Sequence, residues 1–358
     1  MRSLAQILFP AAMVCLTLGC ATIGPPRPPS LDLPKPPSDL RAARKGDRVV
    51  LSWTIPTATT DRETIRKLGS TQICRGPGEM KACGSAIGEV NAPAPSAETS
   101  KQKPQGSFID TLPSEFLTDS PAATISYAIE VLNRDGRSSG LSNQVRVQLI
   151  RTMQPPRQLD ARVAKEGVVL SWNGEPIPSA SASVQCVYRI YRHTEGSNEA
   201  MLAGETQAGL GERTFTDNTI EWQKTYYYHV EPVSLIQRPD NSQLSVEGTD
   251  SPEAKIFADD VFPPAVPSEL QAVFSGPGQK AFIDLVWAPV TDVDLAGYNV
   301  YRREEGEPWV KLNDGLVLTP AYRDVSVAPQ KHYFYSATAV DIRGNESAHS
   351  EEAAESVP

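Results

Sequence analysis

The chain has 358 residues and a formal net charge of −9, from 34 Lys and Arg against 43 Asp and Glu. Its 40% hydrophobic content is enough to bury cores, while 22% charged residues and 7% aromatics exclude a polytopic membrane protein. The acidic balance can supply a basic face for phosphates only locally, which argues against a nucleic-acid partner, and the length fits two to three domains. Proline is the outlier, at 31 residues against a usual ~5%.

At the amino terminus one cation, Arg2, precedes an apolar run from Leu4 to Leu18 that only Gln6 and Pro10 interrupt. The run is too short for a comfortable membrane span and reads as a secretory signal. Its ending, LTLGC from Leu16 to Cys20, resembles the lipobox of bacterial lipoproteins, although Thr17 and Leu18 depart from the commonest form. The resemblance implies a signal peptide at 1–19, cleavage before Cys20 and lipidation of that residue. Acyl chains would then hold the protein to a membrane at ~0.8 kcal/mol per buried methylene. An ordinary signal peptide with an incidental Cys20 is the alternative. The following segment, 20–35, begins a tract containing PPRPP and PKPP, which prefers extended polyproline II and suits a stiff stalk.

Three cysteines remain, Cys74, Cys83 and Cys186. Export favours disulfides, and the RGPGEMKA stretch between Cys74 and Cys83 contains the turn residues that a hairpin-closing bond needs. A zinc site is disfavoured because no second Cys or His pair accompanies them. Cys186 reads as a small buried residue.

A five-part pattern then recurs three times. A Pro-led entry (PPSDLRA at Pro36, PPRQLDA at Pro155, VPSELQA at Val266) leads to a strand ending in Trp53, Trp172 or Trp287. A second strand follows, TQICR at Thr71, YRIYR at Tyr188 and YNVYR at Tyr298, and then an aromatic-to-Asp corner at Phe108, Phe215 or Tyr322. Each copy closes on an alternating strand, ISYAIEV from Ile125, YYYHVEP from Tyr226 or YFYSATA from Tyr333. Short alternating strands rich in β-branched and aromatic residues indicate β-sandwiches.

These copies resemble fibronectin type III domains, through the strand B Trp, the YxVYR-like strand C and the strand F Tyr of a tyrosine corner. The third corner runs Val327, Pro329, Tyr333 and the second Ile220, Trp222, Tyr226, whereas the first has Asp119 and Ile125 at the matching places. The resemblance implies an all-β chain of three tandem immunoglobulin-like sandwiches, at 36–150 with an insertion over 76–106, at 153–257 and at 262–358. Alternation predicts inward positions at Val50, Ser52 or the partners of Trp53 on strand B, at Ile190 and Val300 on strand C, and at Tyr228 and Tyr335 on strand F.

Catalytic signatures are missing from the sequence. None of the four histidines, His193, His229, His332 and His349, sits in HExxH or beside a nucleophile motif, and phosphate and dinucleotide loops are absent. His229 reads as a solvated strand residue. Asp292 and Asp294 resemble only a fragment of a calcium site, so neither a metal nor a cofactor is expected. One surface feature stands out: Tyr191 and Tyr227 of the second copy, and Tyr301 and Phe334 of the third, should point outward on the same sheet, flanked by Arg189, Arg192, Arg302 and Arg303. Such residues are common in binding patches, but the resemblance favours cross-strand packing, since the family's strand C routinely carries an outward Tyr that packs with its neighbours.

The expected function is therefore a non-enzymatic, membrane-anchored, extracytoplasmic module of the bacterial cell envelope. Its modules would form a semi-rigid rod for spacing or for binding another envelope protein or surface polymer. A polysaccharide-binding or enzyme-accessory lipoprotein and a subunit of an envelope complex are the alternatives.

Overall fold

The computed structural model describes residues 31–65, 67–92, 104–177, 183–197, 199–275 and 280–358. Cys20, the 1–19 segment, most of the proline-rich stalk and the centre of the 76–106 insertion lie outside them. Among the described residues every regular element is a strand except one 3-10 turn, Ser114–Phe116. No described helix is long and apolar enough to cross a membrane.

The first repeat supplies β1 (Arg41–Lys45), β2 (Arg48–Thr54), β3 (Leu68–Gly76), β4 (Ala86–Val90), β5 (Gln105–Thr111), β6 (Thr124–Asn133) and β7 (Val145–Gln148). The second supplies β8 (Arg157–Ala164), β9 (Gly167–Gly174), β10 (Val184–Thr194), β11 (Met201–Gln207), β12 (Gly211–Asp217), β13 (Thr225–Gln237), β14 (Gln243–Glu247) and β15 (Ala254–Phe257). The third supplies β16 (Ser268–Phe274), β17 (Ile283–Ala288), β18 (Leu295–Arg303), β19 (Val310–Lys311), β20 (Ala321–Asp324), β21 (Lys331–Asp341) and β22 (Ala353–Val357). Two compact units result: one holds 52–108, 126–145 and the chain up to Arg41, the other 42–51, 109–125 and 146–358.

The first unit is built on β3, β4 and β6, with Ile73, Tyr127, Ile129 and Val131 buried. Gly106 lies so close to the Trp53 indole that a Cβ there would fall inside the ring, which is why this strand end carries glycine. Cys74 and Cys83 form a disulfide with Cα atoms 5.3 Å apart, tying β3 to the segment before β4. The described part of the 76–106 insertion thus contains that bond and β4. The described end of the stalk is not free either. Lys35 N donates to Ala58 O and Thr60 N to Leu33 O, both at 3.0 Å, and the Asn133 amide donates to Leu31 O at 3.1 Å.

In the second unit two sandwiches repeat one plan, a three-stranded sheet over a four-stranded one. The second repeat pairs β12-β9-β8 and β11-β10-β13-β14, with β15 also on β13, and the third pairs β16-β17-β20 and β19-β18-β21-β22. The fold is that of tandem fibronectin type III β-sandwiches. Trp172 packs edge-on against Tyr188 with centroids 5.7 Å apart, and Trp287 against Tyr298 at 5.2 Å. Removing such a ring from water, roughly 200 Å², is worth about 5 kcal/mol.

On strand B the inward phase is that of the tryptophan itself: Val49, Leu51 and Trp53, then Val168, Leu170 and Trp172, then Ile283, Leu285 and Trp287. Val50 is 41% exposed and Ser52 half-buried, so the phase through those two residues is corrected. A side-chain period of two allows only one of the phases to face the core. Ile190, Val300, Tyr228 and Tyr335 are all fully buried. β8 and β16 each carry a bulge the sequence did not announce, with Gln158 and Glu269 at φ +56° and +58° where the register against β9 and β17 shifts.

β1 also leaves its own repeat, pairing in parallel with β14 at Lys45↔Glu247. This single register position and the residues around it make the first joint of the second unit.

Candidate functional site

The outward faces of strands C and F hold the aromatic residues singled out above. On β10 and β13, Tyr191 sits opposite His229 and His193 opposite Tyr227. The cross-strand rings stack, at 5.4 Å and 17° for the first pair and 4.9 Å and 4° for the second. Tyr227 donates its hydroxyl proton to Glu195 at 3.1 Å, and Lys255 lies 5.1 Å from its ring centroid. Each aromatic side chain is half-buried under its neighbours.

The third sandwich builds an equivalent ladder from other residues. Tyr301 donates to Glu346 at 2.7 Å and packs 4.6 Å from His349, which stacks on Trp309 at 5.5 Å. Arg303 lies 5.1 Å from the Trp309 centroid and 4.4 Å from that of Phe334, and Phe334 meets His332 edge-on at 4.8 Å. Tyr191 and Tyr227 thus share one sheet, and Tyr301 and Phe334 share another, rather than one common face. All four histidines of the chain belong to these ladders.

His229 is accordingly not a solvated strand residue. Burial beside Tyr191 lowers its pKa, and the Lys45 charge adds to that against the opposing carboxylates of Asp250 and Glu253. The histidines and Trp309 carry no motif along the chain, because their partners are set by cross-strand register rather than by spacing.

In the first repeat the matching positions are Cys74, Ser126 and Ala128, all buried. The disulfide holds the 76–86 segment at this place, and Met80 N donates to the side-chain oxygen of Gln144 at 2.9 Å. The sulfurs of Cys74 and Cys83 are bonded to each other, so they offer no thiolate to a metal, although Glu130 lies beside them. Cys186 is buried, and burial pushes its thiol pKa up.

Two of the four flanking arginines turn inward, a correction that follows from alternation, since a residue next to an outward Tyr must face the core. Arg192 bonds the carboxylate of Asp217, which also accepts the Tyr228 hydroxyl at 2.9 Å and the Thr219 hydroxyl at 2.8 Å. Arg302 repeats this with Asp324 at 2.7 Å, joined by Tyr335 at 3.0 Å and Ser326 at 2.7 Å. Burial raises the pKa of both aspartates, but these hydrogen bonds outweigh it and hold them below the ordinary carboxylate value. Their stabilisation is present above about pH 4 and is lost as pH falls through the depressed values. The Asp of the second and third aromatic-to-Asp corners is thus a structural clasp. Arg189 and Arg303 do face outward, bonded to Glu205 at 3.1 Å and Glu352 at 2.7 Å.

The tyrosine corners are formed in both later repeats. The Tyr226 hydroxyl accepts from Glu221 N at 2.8 Å, and that of Tyr333 from Ala328 N at 3.1 Å.

One carboxylate cluster has the composition of a cation site. Oxygens of Asp260, Asp294 and Asp341 lie within 4.8 Å of one another. Asp341 accepts from the backbone of Arg343 and Asn345 at 2.8 Å and from the Asn345 amide at 2.8 Å. Asp292 stands apart, bonded to Ala265 N at 2.8 Å and to Lys165 at 3.3 Å. Burial, and then the neighbouring Asp341 and Asp294, raise the pKa of Asp260.

No family model and no curated protein matches the chain. Among solved structures, it is similar to a Fn3-like protein from Clostridium thermocellum, at 30% identity over 27% of this chain and 96% of that one, with a TM-score of 0.24. It is also similar to the FN1-FN3 domains of chicken CNTN1, at 13% identity over 91% of this chain and 99% of that one, with a TM-score of 0.26.

Proposed function

We propose that this chain, built of tandem fibronectin type III β-sandwiches, is a lipid-anchored structural and protein-interaction module of a bacterial cell envelope, without catalytic activity. One observation carries the reading. The groups that could do chemistry are engaged structurally in successive repeats: Asp217 and Asp324 in matching buried clasps, the histidines in aromatic ladders of different make-up. The LTLGC ending at Cys20 supports the anchor, and the Cys74–Cys83 disulfide suits an oxidising compartment. Three modules at 36–150, 153–257 and 262–358 would set the spacing between anchor and partner, the partner being another envelope protein or a surface polymer.

Metabolic labelling with a palmitate analogue tests the anchor: label on the wild type and its loss in Cys20→Ala are expected, and equal label on both overturns it. Crosslinking and pull-down from intact cells test the interaction role, which requires a recovered envelope protein. Retention on a glycan matrix with no protein recovered would instead favour a polysaccharide-binding accessory protein.

A further inference from the structure

We propose that the wedge between β1 and β14 binds an extended, acidic peptide segment, which adds as a strand to the open edge of β14. The two strands run parallel but share one register position, Lys45↔Glu247. Toward their N-terminal ends lies a cleft of about 420 Å³, with Ala42, Arg44, Arg146, Arg238, Ser245 and Val246 in its lining. That size is ordinary for a ligand site.

The backbone of β14 is half-engaged there. Gly248 N donates to Pro232 O at 2.7 Å and Arg238 N to Ser242 O at 2.9 Å, so the even-numbered residues of this hairpin face β13. Alternation then turns the peptide groups of Gln243, Ser245 and Glu247 the other way. Glu247 is met by β1, its carbonyl accepting from Gly46 N at 2.8 Å. Ser245 is exposed, and no described strand pairs with it on that side. Beneath this edge Leu244 and Val246 pack with Ile150 and Ile236, which keeps it rigid. A preformed edge costs a ligand little ordering entropy on the protein's side.

Charge selects the occupant. In a chain of net −9, three arginines line the cleft and no carboxylate does. Arg44 is engaged with carbonyls, donating to Gly46 O at 2.7 Å, to Ile150 O at 2.8 Å and to Gln148 O. Arg146 and Arg238 are exposed and stand at the cleft without a salt bridge among the described residues. A phosphate-rich polymer would use the guanidinium groups but not the open strand edge, whereas an acidic extended peptide uses both.

The proposal deepens the interaction role and rests on it. Its test selects heptapeptides from a random library on the full chain and measures the winners by fluorescence anisotropy. The expected sequences carry Asp or Glu at alternate positions. Their affinity should fall at least tenfold in the Arg146→Glu, Arg238→Glu double variant, and also on N-methylation of alternate peptide nitrogens. A melting curve unchanged from wild type verifies that the variant is folded. Neutral or basic winners, no winners at all, or equal binding to the double variant overturns the proposal. So does N-methylated peptide that binds unchanged while inorganic polyphosphate displaces it, since the cleft is then an anion site only. An envelope partner recovered equally by wild type and double variant removes the cleft but leaves the interaction role standing.

Discussion

The second unit contains two joints between successive repeats, and they handle charge in opposite ways. At the first, Lys45 lies between Glu231 at 2.9 Å and Asp250 at 2.7 Å, beside the β1–β14 pairing. The Glu231 side chain is only 4% exposed and that of Lys45 43%. Burial lifts the Glu231 carboxyl above its ordinary range in spite of Lys45. Lys45 itself loses some charge stability to burial but regains more from Asp250 and Glu231. At the second joint three carboxylates meet, Asp260, Asp294 and Asp341; it is crossed by the Asn345 amide, which donates to Asp260 O at 3.0 Å, and by the pair of half-exposed Lys165 with Asp292 at 3.3 Å. A cation set against a buried carboxylate locks one joint, whereas at the other the cation Lys165 pairs with Asp292 apart from the carboxylate cluster, whose like charges are held by a neutral donor and are sensitive to protonation.

The largest expected effect breaks the first joint. Lys45→Met leaves Glu231 buried without its cation, and urea denaturation of the full chain should show a loss of about 3–5 kcal/mol. Adding Glu231→Leu should recover most of that loss, because an apolar pair replaces the buried charge at little net cost. A single-variant loss below about 1 kcal/mol would remove the claim that this cation locks the joint.

Next comes the second joint. Asn345→Ala deletes the donor to Asp260 O and to the Asp341 carboxylate, at an expected cost of about 1–3 kcal/mol in the same assay. Asp260→Asn should act in the other direction. The folded state holds the Asp260 proton more tightly than the unfolded chain does. Its stabilisation is therefore full below about pH 4 and is lost as pH rises through the raised folded value. The variant should melt higher than wild type at pH 7 and lose that advantage near pH 4. An advantage that grows on acidification would reverse the sign assigned to this cluster. The smallest effect belongs to Lys165→Ala, whose partner Asp292 is reached from a half-exposed side chain, and a change within about 0.5 kcal/mol is expected.

The repeats were legible because each rests on local pattern. Alternation around Trp172 and Trp287, the aromatic-to-Asp corners at Asp217 and Asp324, and the tyrosines at Tyr226 and Tyr333 recur at matching places along the chain. Alternation was less reliable where two phases were both apolar, as at Val49, Val50 and Leu51, since only packing decides which of them turns inward. It also did not reveal that Arg192 and Arg302 reach buried acids. The aromatic face was legible as a set of residues but not as an arrangement. Tyr191 meets His229 through register, a relation between strands 38 positions apart in the chain.

Sequence by itself determined the repeat, the all-β class, the strand B tryptophans and the tyrosine corners, because these follow from alternation and turn chemistry within a few residues. Tertiary structure alone decided the joints and the open edge of β14. Lys45 and Glu231, or Asp260 and Asp341, come from segments with no shared pattern, and what their charges do depends on burial and distance. Those two quantities exist only once the strands have paired.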